Sequence, residues 1–187
     1  MIAAVKREDK ITVGISICDT SIDMAEKDLV IEENIPFWKV KGEKECYVFA
    51  SCATYSTELL RFSDYVFRGI TDCRSVLEKV VPKMRNLLGR FERLKNDKSW
   101  NNEMIIIKGN KLFSIDSYFC VSEIDAIESF GFSEEYYIKG GLEATKDLDS
   151  TESILMATRN TERMLNNKLF PMIIFDSKTK RKKIYYK

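Results

Sequence analysis

Residues Cys46 to Phe67 read CYVFASCATYSTELLRFSDYVF, and the apolar pattern changes partway along them. Cys46 to Cys52 is a continuous apolar run with one serine, which predicts a strand buried on both faces. From Thr54 to Phe67 the apolar residues Leu59, Leu60, Phe62, Tyr65 and Val66 fall at helical spacing instead. Working outward, the same switch between period two and period 3.6 organises the whole chain.

Upstream, Ile2 to Lys6 is small and β-branched. Arg7-Glu8-Asp9-Lys10 is a polar turn, and Ile11, Val13, Ile15 and Ile17 alternate with Thr12, Gly14, Ser16 and Cys18. This predicts an opening hairpin with one strongly apolar face. Asp19 to Lys27 reads as a loop, and Leu29-Val30-Ile31 and Phe37-Trp38-Lys39-Val40 as short strands. Downstream, Cys73, Val76, Leu77, Val80, Val81, Met84, Leu87, Leu88, Phe91 and Leu94 lie on one helical stripe. Thr71 or Asp72 can cap this helix, and Pro82 should bend it. Strands return at Met104–Ile107 and Leu112–Ile115, with Gly109-Asn110 as the turn between them. Tyr118–Val121 and Ile124–Ile127 read as further short strands. Two helices follow over 134–146, with Ser133 as cap, and over 150–166, with a capping-box pattern at Asp149 to Glu152. Pro171–Phe175 is an apolar strand. Lys178–Lys183 is a basic turn leading into Ile184-Tyr185-Tyr186.

Strands and paired helices thus come in blocks. Regular βαβ alternation is absent, and so is a Pro/Gly/Ser-rich linker. The pattern predicts a single α+β domain over 1–187, with antiparallel sheets layered against helices. Across the 187 residues, 44% are apolar and 32% charged, a soluble globular balance. Lys and Arg number 30 against 29 Asp and Glu, so the net charge of +1 argues against a dedicated nucleic-acid or membrane-surface binder. The histidine count is zero, which removes Ser-His-Asp and Cys-His catalysis and H-E-x-x-H metal sites. Five cysteines without C-x-x-C spacing read as reduced thiols of a cytoplasmic protein. Neither a signal-peptide h-region nor an apolar run of membrane-spanning length is evident. The residues point to no cofactor and no metal.

Several short stretches resemble proteasome β-type subunits and the bacterial HslV peptidase. Ala3-Ala4-Val5-Lys6-Arg7 followed by Ile11-Thr12-Val13-Gly14 resembles the family's first hairpin. Phe37-Trp38-Lys39-Val40 resembles the segment that presents its active-site lysine. Val48 to Thr54 resembles the small-residue strand end before its first helix, and Ser129-Phe130-Gly131 the turn before its third. Gly140 to Ala144 resembles a small-residue stretch within that third helix, and Asp149 to Glu152 the cap of its fourth. The resemblance implies a four-layer αββα sandwich of two antiparallel sheets, the fold of N-terminal nucleophile hydrolases. It also implies helix-mediated packing into a homo-oligomer.

In that family the first mature residue is Thr, Ser or Cys; its side chain attacks a carbonyl while its α-amine takes the proton. A free α-amine titrates at roughly 7.7–8.0, so it can serve as base near neutrality. A lysine, an acid and backbone N–H donors complete the site. By this resemblance Lys39 stands in the lysine's place, and a surface lysine beside Trp38 is the alternative reading. Where the family has its aspartate the chain has Ser16-Ile17-Cys18, with Asp19 arriving late. Ile2 stands near the nucleophile position, and no Thr, Ser or Cys occurs in the first eight residues. Met1 is expected to be retained before the bulky Ile2. Ile2, Ser16, Cys18, Asp19, Ser51, Cys52, Ser129 and Gly131 are therefore the residues expected to line the site, with Lys39 as a catalytic remnant. Cys18 and Cys52 read either as buried thiols or as thiol nucleophiles activated by Lys39.

Three functions are compatible with these features. The first is a proteasome-like pseudoenzyme acting as an assembly or binding subunit. The second is an active amide hydrolase using a processed N-terminus or a cysteine. The third is an interaction module that engages acidic partners through the basic C-terminal hairpin.

Overall fold

The alternation at the start of the chain becomes two strands, β1 (Ile2–Arg7) and β2 (Lys10–Ser16). They pair antiparallel from Ile2↔Ile15 to Arg7↔Lys10, turning through Glu8 at a φ of 50°. The computed structural model describes residues 1–17, 35–100, 102–131 and 133–186. The strand expected at Leu29–Ile31 and the loop at Asp19–Lys27 lie outside these residues, as do Cys18 and Asp19.

Strands β1 and β2 belong to a compact unit formed by Met1–Ile35 and Asp125–Lys187. Label the later strands of this unit β8 (Ile127–Phe130), β9 (Met172–Asp176) and β10 (Arg181–Tyr185); all pair antiparallel in the order β10-β9-β2-β1-β8. Helices α4 (Glu134–Ala144) and α5 (Ser150–Leu165) pack on one face, closing a core of Ala3, Val5, Ile138, Leu142, Ile154 and Met172. Two glycines permit this. A Cβ on Gly14 would sit 2.6 Å from Ile154 Cγ2, and one on Gly141 would sit 2.8 Å from Ala157 Cβ. Helix α5 can therefore lie close to both β2 and α4 only because those side chains are missing.

The second unit, Pro36–Ile124, carries β3 (Phe37–Lys39), β4 (Cys46–Ala50), β5 (Met104–Lys108), β6 (Lys111–Ile115) and β7 (Val121–Glu123), antiparallel in that order. Gly109 turns β5 into β6 at a φ of 60°, as the Gly-Asn pair predicts. Its helical side holds α1 (Tyr55–Phe62), a 3₁₀ turn (Asp64–Phe67), α2 (Cys73–Ser75), a π turn (Val76–Val80) and α3 (Val81–Arg90). Their buried residues Leu60, Phe67, Val76, Val80, Met84 and Leu88 pack with Trp38, Val48, Trp100 and Phe113. Each such side chain contributes roughly 1.5–3 kcal/mol by leaving water.

The long helix departs from its expected form in one informative way. Val81 N donates to Val76 O, a five-residue step that opens a π turn directly before Pro82. Proline has no N–H, and its ring crowds the carbonyl four residues back, so a wider turn relieves both problems. The wider turn also rotates the stripe. Leu77 and Phe91, expected in the core, are 52% and 45% exposed. Asp72, not Thr71, caps the helix and forms a capping box with Ser75. At α5, Asp149 accepts from Thr151 N, and Ser133 makes no side-chain cap at α4.

The strands expected at 118–121 and 124–127 form three residues later, as β7 and β8. Asp116 explains the shift, because its carboxylate accepts from Tyr118 N and Cys120 N and makes 116–120 a turn. Phe119, at a φ of 67°, is buried by that turn and stacks on Trp100. The basic stretch is also repositioned: the turn is shorter than expected, and Arg181, Lys182 and Lys183 run along β10 itself.

Candidate functional site

In the first unit, the head of β1 gathers four of the sequence-derived candidates. Ile2 is fully buried, paired with Ile15 on β2 and Phe130 on β8. Ser16 N donates to Met1 O at 3.0 Å, so Ser16 lies across from Met1. The Ser16 hydroxyl is buried and has no hydrogen-bond partner among the described residues. Gly131 closes this end of β8: a Cβ there would stand 3.4 Å from Met1 Cγ. Ser129, opposite Ala3, is held differently. Its hydroxyl donates to Glu135 O at 3.0 Å and fixes the first turn of α4. Neither the Met1 thioether nor the Ile2 alkyl group carries an ionisable hydroxyl or thiol, and Ser129 is committed to a structural bond.

In the second unit, β3 ends at Lys39, which is exposed and opposes Tyr47. Its ammonium has no carboxylate partner among the described residues. It borders a shallow hollow of about 470 Å³ formed by Lys39 to Lys44. Within that stretch Glu43 is engaged by Lys108 and by Gly69 N–H, and these contacts hold its carboxyl below the usual range. Ser51 and Cys52 lie beyond the other end of β4. Phe37 opposes Phe49, and Ala50 N reaches Pro36 O, so the register puts Lys39 and Cys52 at opposite ends of the β3–β4 pair.

The strand end at Ser51–Cys52 is organised by Asn102, from the polar stretch between α3 and β5. Its Oδ1 accepts from Ser51 Oγ at 2.6 Å, Glu103 N at 2.8 Å and Cys52 N at 3.2 Å. Its Nδ2 donates to Cys52 O and Thr57 Oγ1, both at 2.8 Å. Asn102 is buried, so one amide saturates a turn whose groups have little access to water. The sequence shows only an amide two residues before an apolar strand; what that amide faces is set by the fold. Cys46, at the start of β4, is a core thiol whose pKa burial pushes up to about 12. No group of three Cys, Asp or Glu residues is placed to hold a metal among the described residues. No described helix is long and apolar enough to cross a membrane.

Solved structures with this arrangement of strands and helices are proteasome-type. Thiobacillus denitrificans BPH in complex with epoxomicin matches with a TM-score of 0.73 at 14% identity, over 94% of this chain and 96% of that one. Anbu (ancestral beta-subunit) from Yersinia bercovieri matches at 0.62 and 12% identity, over 100% and 87%. HslV from Trypanosoma brucei matches at 0.59 and 12% identity, over 94% and 97%. The chain therefore has the α+β sandwich fold of the proteasome-type N-terminal nucleophile proteins. No family model and no curated protein sequence matches it.

Proposed function

We infer that this chain is a proteasome-type subunit that lacks N-terminal-nucleophile peptidase chemistry and acts in assembly or binding. The observation that carries this reading is the hydrocarbon head of β1. Met1 offers a thioether and Ile2 a fully buried alkyl group where the reaction requires an ionisable hydroxyl or thiol. Ser16 adds to it, since a buried hydroxyl across from Met1 cannot supply the negative charge that orients a catalytic lysine. On this reading Lys39 is a remnant, the two units act together as a single domain, and the chain works as a cytoplasmic homo-oligomer.

The test uses epoxomicin, the ligand in the Thiobacillus structure, with a panel of peptide amide substrates. A purified sample of verified N-terminus should give no covalent adduct by intact mass and no turnover. Turnover abolished by Lys39→Ala, or an adduct on a residue exposed by cleavage, would show a live hydrolase. An adduct on Cys18 or Cys52 would point to thiol chemistry.

A further inference from the structure

We propose that β10 is a docking edge for an acidic, extended peptide segment, which adds to the first unit's sheet as a sixth strand. The surface is defined by topology. Strand β10 ends the order β10-β9-β2-β1-β8, so alternate residues turn their N–H and C=O groups away from β9, and among the described residues no strand receives them. Arg181, Lys182 and Lys183 are all exposed. Arg181 and Lys182 have no carboxylate partner among the described residues, and Lys183 lies over the Tyr185 ring at 5.0 Å.

Charge selects the occupant. Five of the chain's 30 basic residues fall within Lys178–Lys183, leaving 25 against 29 acidic residues elsewhere; three of the five lie on β10, while Lys178 in the turn pairs with Asp9 at 3.0 Å. The net charge of +1 thus conceals a basic edge on an otherwise acidic molecule. A second copy of this chain pairing antiparallel along the whole of β10 would set Lys183 against its own counterpart, and a register slipped toward the turn would oppose Arg181, Lys182 and Lys183 to one another, which is unfavourable across a ladder. An acidic strand satisfies the open main-chain groups and the cations together, the usual division of labour in strand addition. A nucleic acid would satisfy the cations alone. The proposal is independent of whether the chain hydrolyses amides.

Fluorescence anisotropy with a capped, labelled peptide of alternating glutamate and valine tests it on the full chain. Saturable binding is expected. The same peptide N-methylated throughout keeps every charge and loses every main-chain donor, and it should bind at least about tenfold more weakly. The triple variant R181Q/K182Q/K183Q should weaken binding by about tenfold or more as well. If that variant melts early, Lys182→Gln alone, at an exposed position, serves in its place with a loss of about threefold. Absence of saturable binding, or equal binding of the N-methylated peptide, would overturn the proposal. So would tighter, steeply salt-dependent binding of an oligothymidylate, which would assign the edge to nucleic acid. A dimer of the free protein that tightens in the triple variant, where the opposed cations are gone, would assign it to a second copy.

Discussion

Replacing Asn102 by alanine should unfasten the β4–α1 turn. The substitution deletes five hydrogen bonds at once, three accepted by Oδ1 and two donated by Nδ2. Some partners keep an alternative: Thr57 Oγ1 still reaches Cys52 O at 2.8 Å, and Glu103 N still has Ser51 Oγ at 3.3 Å. Cys52 N–H loses the acceptor it has here. One stranded N–H costs about 1–3 kcal/mol and each net amide bond about 1 kcal/mol, which gives a loss of roughly 3 kcal/mol. Trp38 and Trp100 are both buried in this unit, so urea unfolding followed by tryptophan fluorescence reads it directly. The midpoint should fall with the slope unchanged. Asn102→Asp sharpens the test. It keeps an acceptor but sets a carboxylate oxygen against Cys52 O, so the acid form is favoured in the fold. Its destabilisation should be present at neutral pH and should shrink as pH falls through that raised titration. A loss below about 1 kcal/mol for the alanine variant, within the range of an ordinary surface change, would refute the reasoning. So would an aspartate variant as stable as the parent at pH 7.

Three further outcomes follow from the same geometry. Gly141→Ala should destabilise by about 1–3 kcal/mol, because its Cβ would meet Ala157 at 2.8 Å, while Gly140→Ala meets nothing within 4 Å and should stabilise by up to about 1 kcal/mol; paired thermal melts decide it. Lys10 bridges Asp149 at 3.1 Å and Asp176 at 3.3 Å. Burial opposes ionisation of both acids, yet the Thr151 and Thr179 N–H groups and Lys10 hold them below 3.8, and the same acids outweigh burial at Lys10 and hold it above 10.5. The acids' contribution is therefore present above pH 3.8 and lost as pH falls through their lowered values. That of Lys10 is present below pH 10.5 and lost above it, so Lys10→Met should flatten both limbs of a stability–pH profile. Cys46, raised to about 12 and buried, should resist a thiol reagent until urea unfolds its unit, whereas exposed Cys120 should react in the native protein; mass mapping of the alkylated sites checks this.

Much of the fold is legible because burial writes a period into the sequence. Ile11, Val13 and Ile15 alternate and form a strand, and Val80, Met84 and Leu88 recur at four and form a helix. Periodicity fails where a local polar group or a ring overrides it. Pro82 shifts the stripe through a π turn, so Leu77 reaches solvent. Asp116 gathers two N–H groups and buries Phe119 in a turn that an apolar count reads as strand. The candidate site is harder for the same reason. Lys39, Ser51 and Cys52 can be placed on strand ends from their neighbours, but the five bonds of Asn102 depend on tertiary proximity that no spacing within the chain encodes. Ser129 shows the converse: a hydroxyl that reads as site lining is bonded to the carbonyl of Glu135.

The first unit is assembled from the two ends of the chain, with the second unit's sequence lying between them. On the ribosome, the opening hairpin emerges with both of its outer edges bare, since β1 waits for β8 and β2 waits for β9. Residue 176 follows residue 16 at about 5–20 residues per second, so the wait is on the order of ten seconds or more. Through that interval Ile11, Val13 and Ile15 have no sheet to complete, while the contiguous Pro36–Ile124 stretch can collapse on its own contacts. The vulnerable species in biogenesis is thus a nascent chain with a finished middle and a sticky beginning. Expression yield should respond to chaperone supply and translation speed more sharply than the stability of the finished fold would suggest.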